Sequence, residues 1–248
     1  MLTQKNNEIT AFIPSAGFGT RLMPLTRLKP KALVSFMGKP MLGRTIERLA
    51  SLGITRFIVN VHHFADQMET YIHELQNDYD IRISDESEKL LDTGGGLYRA
   101  SQLLGDDENT ILVHNVDLHT QFNLQELINE HLNAENDITL AVSDRRSTRK
   151  LLFQENELCG WKNIKTSQII KRYEDCKNNE SLAFSGIHLV NKAVLKPKTN
   201  DDAFPLIPWY LEMDKQVKIA GWKHNPNDWF DLGTITRIEK AEKAIINR

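Results

Sequence analysis

The sequence predicts an α/β protein: a mostly parallel β-sheet sandwiched by helices, followed by a smaller α+β lobe. Three observations predict it. From Ile9 to Val142, apolar strand-like runs alternate with amphipathic helix-like runs, the pattern of βαβ units. A glycine turn, Gly17 and Gly19, follows the first run directly, where an open parallel sheet binds ligands. After Val142 the alternation gives way to short strand-like pieces with polar turns and two helical stretches.

Ile9–Ile13 reads as the first strand. Met41–Leu52 is a helix, because Leu42, Ile46 and Leu49 recur on one face. Arg56–Val61 is a strand, Ala65–Leu75 a helix, and Ile81–Ser84 a short strand. Gly95–Leu104 reads as a helix opened by glycines. Thr110–His114 is a strand, Leu124–Leu132 a helix and Ile138–Val142 a strand. Beyond it, Leu151–Phe153, Leu158–Trp161, Ile169–Arg172 and Ala183–Val190 read as strands, and Phe204–Met213 and Thr234–Ile246 as helices. The division is two lobes of one domain, 1–142 and 143–248, with the second added at the edge of the first sheet.

A chain of 248 residues buries a substantial core without disulfides or metals. A formal charge of −2 argues against a general nucleic-acid binder. Met1–Thr10 is polar, and no run approaches the roughly 18 apolar residues that span a bilayer. No membrane partner is expected. Cys159 and Cys176 form no C-x-x-C pair, so free thiols in a reducing cytoplasm are expected rather than a disulfide.

The densest chemistry lies in residues 12–31, FIPSAGFGTRLMPLTRLKPK. Gly17 and Gly19 lack a Cβ and let backbone N–H groups approach a phosphate chain. Arg21 and Lys31 add fixed positive charge for the same phosphates. Competing glycine motifs fit worse. Leu22 stands where the dinucleotide fingerprint needs a third glycine, and Gly38-Lys39 is followed by Pro40, not Ser or Thr. The reading is a nucleoside triphosphate site.

Asp117, in Asn115-Val116-Asp117, ends an apolar strand; Asp231 lies in Trp229-Phe230-Asp231-Leu232-Gly233-Thr234, just before the last helix. Asp117 reads either as a cation ligand or as a turn residue, and Asp231, from its place before the helix, as a cap-region residue. Three glycines in a row, Gly94–Gly96, imply that something approaches the backbone there. Glu86, on the residues alone, reads as a solvated charge in the run Asp85–Glu88. Gly186, in Phe184-Ser185-Gly186-Ile187, is either a close-approach point or a bulge. Arg145, Arg146, Arg149 and Lys150 form a basic cluster that could hold a phosphate or carboxylate, or be a solvated hairpin. His114, Asp117 and His119 match no standard metal spacing, and no Gly-x-Ser-x-Gly element is present.

Taken in series with Thr20, Pro24, Pro30 and Gly38-Lys39-Pro40, these residues resemble the signature of the sugar-1-phosphate nucleotidyltransferases. The resemblance runs nearly end to end, through Asn60-Val61-His62-His63 and Asp92–Gly96 to Asp228–Thr234. It implies the Rossmann-like nucleotide-diphospho-sugar transferase fold, with 1–142 as nucleotide-binding lobe and 143–248 as sugar-phosphate lobe. It implies catalytic roles for Arg21, Lys31 and Asp117, and nucleotide binding by Ser15, Ala16, Gly17, Gly19, Thr20, Glu86, Thr93, Gly94 and Asn115. Gly186 and Arg149 would meet the sugar phosphate, and Asp117 and Asp231 would hold Mg²⁺. Departures are Pro14, Val116 and the lack of a Glu-Lys-Pro segment near the sugar. The implied reaction joins a nucleoside triphosphate to a sugar-1-phosphate with release of pyrophosphate. UTP with N-acetylmuramate-1-phosphate fits best. GTP with a mannose- or heptose-1-phosphate, CTP with phosphocholine, and a non-catalytic nucleotide sensor stay open, as do homo-oligomers through a face around Trp209 and Trp222.

Overall fold

The computed structural model of the chain describes residues 8–176, 180–198 and 203–247; most of the polar stretch Met1–Thr10 lies outside them. The first half runs β1 (Ile9–Ile13), β2 (Ser35–Phe36), β3 (Lys39–Pro40), α1 (Met41–Ala50), β4 (Arg56–Val61), α2 (Ala65–Leu75), β5 (Asp80–Asp85), α3 (Asp92–Ser101), β6 (Thr110–His114), β7 (Leu118–Thr120), α4 (Leu124–Asn133) and β8 (Ile138–Ser143). The second runs β9 (Arg149–Gln154), β10 (Glu157–Asn163), β11 (Gln168–Lys171), β12 (Glu180–Asn191), α5 (Leu206–Glu212), β13 (Ile219–Lys223), β14 (Trp229–Asp231) and α6 (Ile235–Ile246).

The main sheet has the order β11-β10-β13-β8-β12-β6-β1-β4-β5, and β9 pairs with β10 and β12. β5, β4, β1 and β6 are parallel, as the alternation predicts. The α/β class holds, but the sheet is mixed. β12 inserts antiparallel between β6 and β8, so the second half is woven into the sheet rather than added at its edge. The reason is its two-sided apolarity. Ile187 and Leu189 enter the core on one face, and Leu182 and Val190 the core on the other, and a strand buried on both faces belongs inside a sheet.

Alternation along β1 shows the layering. Ile9, Ala11 and Ile13 pack with α1, α2, α4 and α6, whereas Phe12 packs with α3 and α5. Trp209, proposed as part of a contact face, is instead buried in this second core against Phe204 and Tyr210.

α3 begins at Asp92, three residues before the predicted start, and so contains all three glycines. What approaches them is the protein itself. The N–H groups of Gly94 and Gly95 both donate to Phe204 O, at 2.8 and 3.2 Å. A Cβ at Gly94 would stand 2.6 Å from the Phe204 ring and 2.8 Å from Phe204 O. Gly94→Ala sets a helix-propensity gain of about 1 kcal/mol against overpacking of about 1–3 kcal/mol. Backbone cannot rotate away as a flexible side chain can, so the overpacking wins. Urea unfolding should show the variant less stable than the parent, and a more stable variant would refute the packing account.

The expected free thiols are also corrected: Cys159 and Cys176 are disulfide-bonded. β10 pairs antiparallel with β11, and the turn after Arg172 carries Cys176 back, leaving the two Cα atoms 5.5 Å apart, within bridging range.

Candidate active site

The loops at the carboxyl ends of β1 and β6 meet the β7–β14 ladder at the mouth of a cleft of about 780 Å³. Asp117 follows β6. Asp231 pairs with Leu118 in the ladder, and Leu232 N donates to Asp117 O at 2.8 Å. The two carboxylates, over a hundred positions apart in sequence, are therefore neighbours on one wall.

Asp117 Oδ2 lies 3.3 Å from Lys31 Nζ and 3.9 Å from Arg21 Nη2. The glycine loop allows this approach. Gly19 has φ of +64°, and a Cβ there would stand 2.9 Å from Lys31 Cβ and 3.0 Å from Thr26 Cγ2. Gly233 serves the other side, since a Cβ there would meet Arg21 Nη2 and Asp231 Oδ1, each at 2.8 Å. Asp231 Oδ1 accepts from Gly233 N at 2.7 Å, and Oδ2 pairs with Arg237. Arg237 escaped the sequence reading. It lies in the first turn of α6, behind Thr234, whose hydroxyl accepts from Arg237 N as the helix cap.

Of the residues assigned to the nucleotide, Thr93 and Asn115 line the cleft with Arg21, Asp117 and Asp231. Ser15, Ala16, Gly17, Gly19, Thr20, Glu86 and Gly94 are not among its lining residues. The N–H groups of Ser15 and Ala16 are both taken by Asn60 Oδ1, at 2.5 and 3.2 Å, and that of Gly94 by Phe204. Gly17 stays open beside Lys31, with Nζ 3.8 Å from where its Cβ would be. Glu86 is buried, not solvated: Oε1 accepts from Asn60 Nδ2 at 2.7 Å and Oε2 from Leu91 N at 3.1 Å. It braces the Asn60 amide that braces the glycine loop.

On the other side of the cleft, Gly186 has φ of +74°, and a Cβ there would stand 2.8 Å from Asn115 Nδ2. The basic cluster divides. Arg149 and Lys150 line the cleft, as does Arg145, whereas Arg146 is exposed and does not. Leu97, Leu151, Trp161, Phe184 and Leu211 supply an apolar inner wall.

The cleft thus holds cations, two carboxylates and an apolar chamber, an arrangement suited to phosphate chemistry on an organic substrate. The nucleotidyl transferase family model matches residues 10–153, more than half of the chain, and takes in Arg21, Lys31 and Asp117. The chain belongs to the nucleotidyl transferase family. This bears out the resemblance carried by residues 12–31. The transferase is 28% identical to the N-acetylmuramate alpha-1-phosphate uridylyltransferase of Caulobacter vibrioides over 93% of this chain and 97% of that one. It is 39% identical to a mannose-1-phosphate guanyltransferase of Hypocrea jecorina over 51% of this chain, but only 35% of that one. Its fold matches HddC from Yersinia pseudotuberculosis complexed with GMP-PN, at a TM-score of 0.71 and 19% identity over 95% of this chain and 99% of the other. A UDP-glucose pyrophosphorylase complexed with UDP-glucose superposes at 0.72, with 15% identity over 96% and 98%.

No group of three His, Cys, Asp or Glu converges among the described residues of the transferase. Two neighbouring carboxylates nevertheless fit a hard cation that takes its remaining oxygens from phosphate and water.

Proposed function

We propose that this transferase joins a nucleoside triphosphate to a sugar-1-phosphate, releasing pyrophosphate, and that its substrates are UTP and N-acetylmuramate-1-phosphate. The observation that carries the reaction type is the convergence of Arg21, Asp117 and Asp231 on one cleft, with Lys31 held 3.3 Å from Asp117. An attacking sugar phosphate is already anionic at neutral pH, so no general base is needed. Lys31, held beside Gly17 and Asp117, neutralises charge at the α-phosphate. Arg21 is exposed and reaches the leaving pyrophosphate. Asp117 and Asp231 would hold Mg²⁺, whose role when bound is to neutralise and orient the phosphates. The protein's share is positioning and preorganised charge.

The substrate pair is supported by near full-length similarity to a uridylyltransferase, whereas similarity to guanyltransferases covers about half of this chain. The apolar wall suits an acetyl group, and the exposed Arg149 suits the lactyl carboxylate of N-acetylmuramate. We place the reaction in the cytoplasm because nucleoside triphosphates are made there; the Cys159–Cys176 bridge removes free thiols as an argument for that compartment.

The test is pyrophosphate release with Mg²⁺, crossing UTP, GTP, CTP and dTTP against N-acetylmuramate-1-phosphate, mannose-1-phosphate, glucose-1-phosphate and phosphocholine. The expected result is turnover with UTP and N-acetylmuramate-1-phosphate at least tenfold above every other pair. A maximum at GTP with mannose-1-phosphate would instead support the guanyltransferase reading. Nucleotide binding without turnover on any pair would defeat the enzyme reading.

A further inference from the structure

Arg145 is the cleft cation that the mechanism leaves unused. It follows β8 and lines the cleft with Ser185, Gly186, Trp229 and Asp231. Its guanidinium stacks on the Trp229 ring, 4.0 Å from the centroid, and its Nη2 donates to Phe184 O at 2.7 Å. The stack is fixed from behind. Trp229 Nε1 donates to Ser185 O at 2.8 Å, Ser185 Oγ meets His224 Nε2 at 2.7 Å, and His224 stacks on Phe122.

Charge accounting among the described residues leaves Arg145 and the exposed Arg149 as the cleft cations without an ion pair, and of the two only Arg145 is shielded from water. Lys31 and Arg21 face Asp117, Arg237 takes Asp231, and Lys150 lies 3.6 Å from Asp144. Among the described residues Arg145 makes no ion pair, and its Nε is buried without a hydrogen-bond partner. Burial lowers the guanidinium pKa from its usual value, Asp231 pulls it back up, and Arg237 lowers it further. A partly desolvated cation with no direct ion pair carries a cost that Asp231, acting at a distance, offsets only in part. An anion arriving in the cleft removes that cost, and a side chain already immobilised binds it with little further loss of entropy.

Resting on the function proposed above, we infer that Arg145 binds the phosphate of the incoming sugar-1-phosphate and holds it beside Asp231. Its place among Phe184, Ser185 and Gly186 puts it on the sugar side of the cleft, while Arg21, with Lys31 against Asp117, serves the nucleotide side. The nearby Arg149 is exposed on β9 and lacks any such stack.

The experiment uses the full chain, with UTP and N-acetylmuramate-1-phosphate as probes. Arg145→Gln and Arg145→Ala should raise KM for the sugar phosphate by about 10–100-fold and lower kcat, since each removes the cation from a desolvated charge pair. The Kd for UTP, read by calorimetric titration, should stay within twofold. Arg145→Lys should recover only part of the loss, because an ammonium keeps the charge but not the planar fork. Added guanidinium ion should restore part of the Arg145→Ala activity. An unchanged sugar-phosphate KM would overturn the inference. So would equal weakening of UTP binding with a lowered Tm, which would mark Arg145 as a prop for Trp229. A parent enzyme that turns over no sugar phosphate would sink the proposed function and this inference together. Normal parent turnover with an unaltered Arg145→Gln KM would sink the inference alone.

Discussion

Asp117→Asn is expected to lower turnover by about 10²–10³-fold, the usual cost of removing one preorganised electrostatic group, and to leave the protein folded. The substitution keeps volume and shape, and the backbone carbonyl of Asp117 still accepts from Leu232 N, so the junction of β6 with the β7–β14 ladder survives. What disappears is the negative charge that faces Lys31 at 3.3 Å and Arg21 at 3.9 Å. The same change has opposite signs on two binding constants. Without a divalent ion, Asp117 repels the triphosphate and partly neutralises the cations meant for it, so Asp117→Asn should bind UTP as tightly as the parent or tighter in EDTA. With Mg²⁺ the variant loses a ligand and should bind more weakly. Calorimetric titration of UTP with and without Mg²⁺ reads both constants on a protein whose Tm is checked first. Equal weakening in both conditions would mean that Asp117 acts as a structural residue rather than as part of a cation site.

That site was legible in part because its cationic half is local. Gly17, Gly19, Arg21 and Lys31 lie within one short stretch, and strand-then-glycine order places them at a sheet end before any tertiary contact is known. The acidic half is non-local. Asp117 and Asp231 meet through β7 and β14, each three residues long, too short to show an alternation. Arg237 was missed for the same reason, although an arginine one turn beyond a helix cap and six residues after an acidic one is a usable signal. Glu86 was ambiguous because the run Asp85–Glu88 looks solvated. Its burial comes from the parallel neighbour β4, which brings the Asn60 amide alongside. The glycine triplet was read correctly as a close approach, but the approaching group is Phe204, on a segment whose docking no local pattern displays. The insertion of β12 is likewise decided by pairing partners, not by its own composition.

Acid should destabilise the fold well before its carboxylates are neutralised, because two buried imidazoles are built to stay neutral. His114 is pushed down to about 4, chiefly by burial, against the pull of its hydrogen bond to Asn115 O and with Arg48 adding repulsion. Its Nδ1 faces that carbonyl at 3.0 Å and so donates, leaving Nε2, buried and without a partner among the described residues, to take a second proton. His188 is pushed down to about 3 by burial and by the nearby His131. Its Nε2 meets Tyr210 Oη at 2.9 Å, and its Nδ1 has no partner among the described residues. Since both folded-state values lie below the ordinary 6.5, the unfolded chain takes up protons first as pH falls. Stability is therefore complete above about pH 6.5 and declines below it, by about 3 kcal/mol per ring at pH 4. The His114 contribution then levels off, and that of His188 continues to about pH 3. Urea unfolding of the parent and of His188→Leu/Tyr210→Phe separates this from carboxylate titration, because the double variant removes one imidazole and its partner without leaving an unpaired hydroxyl. Between pH 6.5 and 4.5 it should lose about 2–3 kcal/mol less than the parent. An identical pH slope for the two proteins would show that His188 carries its proton in the folded state, and that burial at the junction of β12 and α5 is less dry than its packing against Tyr210 implies.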